Sequence, residues 1–351
     1  MVVVIQYLRG LAAALVVYTH LDTQILRLSP DQGLPLANLG NWGVDIFFVI
    51  SGFIMYVAAI DIDARPGDFL LRRVIRIVPL YWLLTGAIIA VAAVAPSLLS
   101  STRLDPSHIL ASLLFLPWPN PAYAGYWPVL IPGWTLNYEM YFYATVAIGL
   151  LAPRGFRVAV TSAIVIGILA ALQISKPAGP IAFYGDDIVL EFLMGLLAGY
   201  LFRKTRPLGV PLGVILIVAS VCLVMWMATM TAVPRSIASG IPALMIVLGS
   251  LQLEARARQA VFRPALYLGD VSYSLYLTHV IALPMVTVIF MRLGADLGIN
   301  AALAYPVVAS LWALLIAALV YRAVEKPVTR TLRIVTGERR ALKPAPDGGP
   351  T

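Results

Sequence analysis

VVIQYLRGLAAALVVYTHL, residues 3–21, decides the fold. It is apolar almost throughout, and as a helix rising 1.5 Å per residue it reaches about 28 Å, close to the hydrocarbon thickness of a bilayer. Arg9 and His20 interrupt it, and basic side chains at such depth are costly unless they face protein or a water-filled cavity. Nine further apolar runs follow, at 43–60, 78–95, 134–151, 158–174, 188–202, 208–227, 237–251, 267–290 and 302–321. Sixty percent of the chain is hydrophobic and 12% charged, with a mean hydropathy of +0.88, whereas about a quarter of the residues in a soluble domain are charged. Lipid cannot satisfy backbone N–H and C=O groups, so runs of this length must be helices. The expectation is an all-α polytopic membrane protein with about ten transmembrane helices.

The net charge of +8 does not point to nucleic acid once its distribution is read. With the N-terminus inside, the inner connections and the C-terminal tail carry 19 of the 25 Lys and Arg residues, which predicts an N-in, C-in orientation. The segment 108–118 is apolar but too short to span, and PWPNPAYAGYWP follows it. It reads as a re-entrant or interfacial helix on the outer face, with Tyr123, Tyr126 and Trp127 at headgroup level and His108 at the surface. A lone cysteine, Cys222, excludes an internal disulfide and a thiolate metal site. Three widely separated histidines offer no metal spacing, so no metal is expected.

The ionisable residues inside the runs are Arg9, His20, Asp45, Glu139, Glu191, Asp270 and His279. Arg9 and His20, eleven residues apart, share a helix face and are separated by about 16 Å along the axis. His20, Asp45 and Glu139 all fall in the outer part of their helices. An imidazole beside a carboxylate is the usual construction of a general base and its orienter, and a buried ion pair joining three helices is the alternative. On the inner side, the loop DIDARPGDFLLRRVIRIVP presents Arg65, Arg72, Arg73 and Arg76. Guanidinium groups at helical spacing can hold a phosphorylated ligand; topology control and anionic lipid would select the same residues.

Six strings carry a resemblance over nearly the whole chain: LRGLAAALVVYTH, GVDIFFVISGFIM, FLLRRVIRIVPLYW, GWTLNYEMYFY, SYSLYLTH and EKP, in that order. Together they resemble the acyltransferase 3 family, with exopolysaccharide acetyltransferases as the nearest branch. The resemblance implies residues 1–327 as the membrane acyltransferase domain and 328–351 as a basic cytoplasmic tail ending in the disorder-prone KPAPDGGPT. It implies transfer of an acyl group, usually acetyl, from cytosolic acyl-CoA to a sugar hydroxyl of a glycan or lipid-linked sugar in a bacterial cytoplasmic membrane. Arg9 and His20 match the family's helix 1 motif. The helix 2–3 arginines match donor positions, Glu139 is carried over, and Asp45, Ser51 and His279 match positions whose roles are catalytic or structural.

Combined with the spacing, this gives a mechanism. CoA phosphates dock at Arg72, Arg73 and Arg76, the pantetheine arm passes Arg9, and His20 takes the acceptor proton while Asp45 or Glu139 orients it. Trp134, Asn137, Tyr138 and Tyr141 offer donors to an oxyanion. Direct transfer and an acyl-His20 intermediate both fit. A proton-coupled transporter or flippase of a glycan is the rival function, and a non-catalytic scaffold a further one. Expected partners are acyl-CoA, the glycan acceptor and membrane lipids, without nucleic acid; assembly of several copies stays open.

Overall fold

The computed structural model describes residues 2–96, 102–293 and 301–337, and among these residues there is no strand. The helices are α1 Val3–Leu28, α2 Trp42–Met55, α3 Pro66–Val94, α4 Pro106–Leu113, α5 Gly133–Gly149, α6 Arg157–Ser175, α7 Val189–Lys204, α8 Val210–Met227, α9 Ile241–Leu251, α10 Glu254–Gln259, α11 Arg263–Leu293, α12 Ala301–Val320 and α13 Lys326–Val335. Each expected apolar run is helical, and seven helical stretches are long and apolar enough to cross a bilayer. The other three are shorter: α5 has 17 residues and α7 has 16, while Ser236–Leu251 combines a π turn with α9. The chain is thus an all-helical, multi-pass membrane protein.

Two boundaries differ from expectation. The arginine-rich segment before the third run is no loop: α3 begins at Pro66, where a missing N–H is harmless, so Arg72, Arg73 and Arg76 stand on α3 itself. The tail also continues as a helix, α13, after a π turn at Tyr321–Glu325; residues 338–351, with the end of the expected tail, lie outside the described residues.

An inner set of helices and an outer shell divide the bundle. In an apolar 18-residue window of each, 78%, 56% and 56% of Ala37–Ile60, Val3–Leu28 and Arg263–Arg292 is buried, against 11% for Arg154–Ser175 and 17% for Val210–Met227. The inner set is therefore α1, α2 and α11, while α6 and α8 present apolar side chains such as Ile166, Ile215 and Val218 outward, as lipid requires. Apolar side chains gain little by leaving lipid for one another, so close backbone approach has to hold such helices together. Gly52 on α2 and Gly195 on α7 provide it: a Cβ on either would overlap a backbone carbonyl of the other helix. Gly269 on α11 lies in the same way against Gln6 of α1.

One end of the bundle gathers the basic connections. Arg203 pairs with Asp61 at 2.8 Å and Arg157 with Asp63 at 2.5 Å, and Glu254 accepts from the backbone amides of Val3 and Val4 at 3.1 and 3.0 Å. The opposite, aromatic end carries residues 114–132 and α4. At 8 residues, α4 is about 12 Å long and cannot cross a membrane. Asp105 caps it by accepting from the His108 amide at 2.7 Å, and its carbonyls accept from Tyr81 Oη at 3.1 Å and Trp82 Nε1 at 2.8 Å. His108 is not the surface residue expected: it is 2% exposed, with Nε2 2.9 Å from the Trp127 carbonyl.

The Gly52–Gly195 crossing yields a paired test. Gly52→Ala forces two backbones apart and should lower stability by about 1–3 kcal/mol, as overpacking does. Gly86→Ala, where an added Cβ meets nothing within 4 Å, should leave it unchanged or raise it by about 0.5–1 kcal/mol. Thermal midpoints in one detergent compare the two.

Candidate active site

Three cavities adjoin along the bundle interior. The basic-end cavity, ≈ 470 Å³, is lined by Gln6, Arg9, Arg76, Asp270 and residues of the Tyr321–Val335 region. The central one, ≈ 90 Å³, shares Arg9 and Arg76 with it and adds Ser51, Arg73, Glu139 and Tyr143 among aromatic and aliphatic walls. The aromatic-end cavity, ≈ 1300 Å³, meets the central one at Val44 and is lined by His20, Tyr126, Trp127, Trp134, Tyr138, Phe183, Asp186, Asp187 and Arg235. Arg9 and His20, placed on one face of α1 by their spacing, thus open into different chambers.

Local hydrogen bonds fix each group. Arg9, 8% exposed, donates from Nη1 to Gln6 Oε1 at 2.7 Å, and Gln6 Nε2 donates to Asp270 Oδ1 at 3.0 Å. Arg73 is buried with its guanidinium 5.6 Å from the Phe69 ring centroid and 6.0 Å from that of Tyr143, and its Nε has no partner among the described residues. An unsatisfied buried cation of this kind fits an anionic ligand entering the central cavity. Glu139 accepts from Ser51 Oγ at 3.0 Å and from Tyr143 Oη. Tyr143 was missed in the sequence, although it follows Glu139 at i+4 within GWTLNYEMYFY.

The histidines are set by their own helices. His20 Nδ1 lies 2.9 Å from the Val16 carbonyl, and His279 Nδ1 3.2 Å from that of Leu275. A carbonyl can only accept, so in the neutral rings Nδ1 carries the proton and Nε2 the lone pair. The two rings meet edge to face at 4.6 Å, and His279 Nε2 is buried without a partner among the described residues. The expected carboxylate orienter is therefore replaced by a main-chain carbonyl. Asp45, 1% exposed, instead pairs with Arg235 at 2.8 Å. Six residues along a helix turn the chain by about 600°, which sets Asp45 about 120° around α2 from Ser51, and Asp45 lines none of the three cavities. Burial disfavours the Arg235 cation, but the adjacent Asp45 carboxylate overrides this and holds its pKa above the ordinary value.

The remaining expected residues divide. Trp134 and Tyr138 line the aromatic-end cavity, where Tyr138 stacks on Phe183 at 4.2 Å and donates to its carbonyl at 2.6 Å. Asn137 and Tyr141 line none of the three cavities; Tyr141 lies against Tyr184 at 5.2 Å. Arg72 also lines none of them, and Glu191 is 0% exposed. Among the described residues no three His, Cys, Asp or Glu side chains gather as a metal site would require.

With this geometry in view, the chain can be compared with known proteins. The family model described as an acyltransferase domain matches residues 2–322. The chain belongs to the acyltransferase 3 family. Similar members include the exopolysaccharide production protein ExoZ of Rhizobium meliloti (strain 1021), 36% identical over 83% of this chain and 90% of that protein. Acyltransferase MdmB of Streptomyces mycarofaciens is 26% identical over 97% of this chain and 94% of its own length. No solved structure matches significantly. Membership of the acyltransferase 3 family places the chain among enzymes of acyl transfer.

In this acyltransferase, Asp45→Asn removes the partner of a largely buried cation. The cost should sit at the low end of about 3–5 kcal/mol, because Arg235 keeps some solvent access. Adding Arg235→Gln should recover part of it. A double-mutant cycle on thermal midpoints checks this, and simple additivity would show that the pair is not coupled.

Proposed function

We propose that the protein is an O-acyltransferase of a bacterial cytoplasmic membrane that passes an acetyl group from cytosolic acetyl-CoA to a sugar hydroxyl of an exopolysaccharide or lipid-linked glycan. The observation that carries this reading is that one helix face presents Arg9 to a basic cavity and His20 to an aromatic one. Phosphates suit the first, and sugar rings suit stacking surfaces such as Tyr126, Trp127 and Trp134 in the second. The positive-inside bias assigns the basic end to the cytosol and implies ten crossings with both termini inside.

Arg9, Arg73 and Arg76 draw the donor inward, with Arg72 at most at the approach, and Glu139, braced by Ser51 and Tyr143, balances their charge. The acceptor hydroxyl enters from the aromatic end. His20 Nε2 takes its proton as the oxygen attacks the thioester carbonyl carbon. The tetrahedral oxyanion collapses with loss of the C–S bond, and the imidazolium returns the proton to the leaving thiolate, giving ester and free CoA. Val16 holds the His20 tautomer, and the buried edge of His279 limits where the ring can turn. Trp134, facing the same cavity as His20, is the indole we assign to the oxyanion; Asn137 and Tyr141 support α5. Asp45 positions Arg235 at the acceptor cavity. The name of the ExoZ relative supports an exopolysaccharide acceptor.

Purified protein in nanodiscs with acetyl-CoA and a lipid-linked glycan fraction should release CoA in step with acceptor. His20→Ala should lower that rate by about 10²–10⁴, the usual contribution of a general base. Full activity in folded His20→Ala would remove His20 from the chemistry. Glycan movement without CoA release would favour a carrier.

A further inference from the structure

The basic-end cavity has a wall to which the sequence assigned no ligand: the polar face of α13, of which Lys326 falls in the family string EKP. Lys326, Thr329, Arg330 and Arg333 fall at i, i+3, i+4 and i+7, the spacing of one helix face, and all four line the cavity opposite Gln6, Arg9 and Arg76. Val328 and Leu332, on another face, are half-buried, and α13 packs on α3 and on the π turn before it. No acidic residue occurs in α13. The helix is therefore docked, with exposed cations on the face that borders the recess.

Charge in that space is unbalanced. Arg9, Arg76, Lys326 and Arg330 line it against the carboxylates of Asp270 and Glu325, and both carboxylates already accept from neutral donors, Gln6 Nε2 at 3.0 Å and Ser274 Oγ at 2.5 Å. Among the described residues, Arg76, Lys326 and Arg330 make no ion pair within 4.0 Å. Like charges gathered around a recess repel one another unless a polyanion fills it. At ≈ 470 Å³ the recess has the size of a small-molecule site. Because Arg9 and Arg76 also line the central cavity, a ligand held here can extend an arm toward Glu139.

We propose that Lys326 and Arg330 of α13 grip the phosphates at the nucleotide end of the acyl donor, with Arg9 and Arg76 on the facing wall. This rests on the donor being acyl-CoA and adds the helix that closes its nucleotide site. The same cations could instead hold the phosphate of an anionic lipid, and the experiment separates the two sources.

Full-length wild type, Lys326→Gln/Arg330→Gln and Arg330→Lys are placed in phosphatidylcholine nanodiscs, with and without phosphatidylglycerol. CoA binding is measured directly, alongside KM and kcat for acetyl-CoA. The expected result is CoA binding weakened about tenfold or more in the double variant, the same rise in KM with kcat little changed, and substantial recovery with Arg330→Lys. Adenosine 3′,5′-bisphosphate should compete with CoA on wild type and lose that competition in the double variant. Unchanged CoA affinity in both lipid compositions overturns the proposal, as does an effect seen only when phosphatidylglycerol is present, which makes α13 a lipid contact. Binding is read without turnover, so a wild type that binds CoA through α13 yet releases none from acetyl-CoA would sink the proposed reaction and leave this inference standing.

Discussion

A side chain surrounded by lipid has no solvent to bond with, and the interior of this protein is arranged around that constraint. Some polar groups tie helices together: Thr287 joins Gln24 of α1 at 2.9 Å and Tyr305 of α12 at 3.0 Å, and Ser220 of α8 donates to the Pro242 carbonyl at 2.8 Å. In the central cavity Arg73 Nε is buried with a bonding position still open, and at the basic end cations outnumber carboxylates. A membrane bundle tolerates such a deficit more readily where a ligand or water can reach it.

The glycine crossings hold the inner helices together. Gly52 against Gly195 and Gly269 against Gln6 bring α2 and α11 close enough to their neighbours to leave little room for lipid, and this keeps the residues of α1 inward. The outer helices then need only apolar surface. Their exposed faces are consistent with that simpler duty.

Hydropathy alone located every major helix, because a run of apolar residues long enough to span is a one-dimensional property. It failed where polarity masked a helix: DFLLRRVIR looked like a loop and KPVTRTLRIV like a tail, although Pro66 and Pro327 stand at helix starts and Val328, Leu332 and Val335 recur at i, i+4 and i+7. Arg9 and His20 were legible for the same reason as the spans, since their relation depends on one helix. The placing of Asp45 was not, because its partner Arg235 is 190 residues away and the rotation of α2 against the π turn at Ser236–Gly240 is set by tertiary packing. The expectation that depth would unite His20, Asp45 and Glu139 left out how each helix is rotated against its neighbours, and here Asp45 stands about 120° around α2 from Ser51 and lines none of the three cavities.

The hydrogen bond from His20 to Val16 has a consequence for how such a protein can diversify. A base oriented by a distant acid ties its chemistry to the tertiary contact that supplies the acid, and any remodelling of that contact perturbs it. Here the orienting carbonyl belongs to the preceding turn of the same helix. The imidazole's tautomer travels with α1 wherever the helix goes, so in the reaction proposed above the aromatic loops and α5 can be recast for a different acceptor while His20 Nε2 keeps its lone pair.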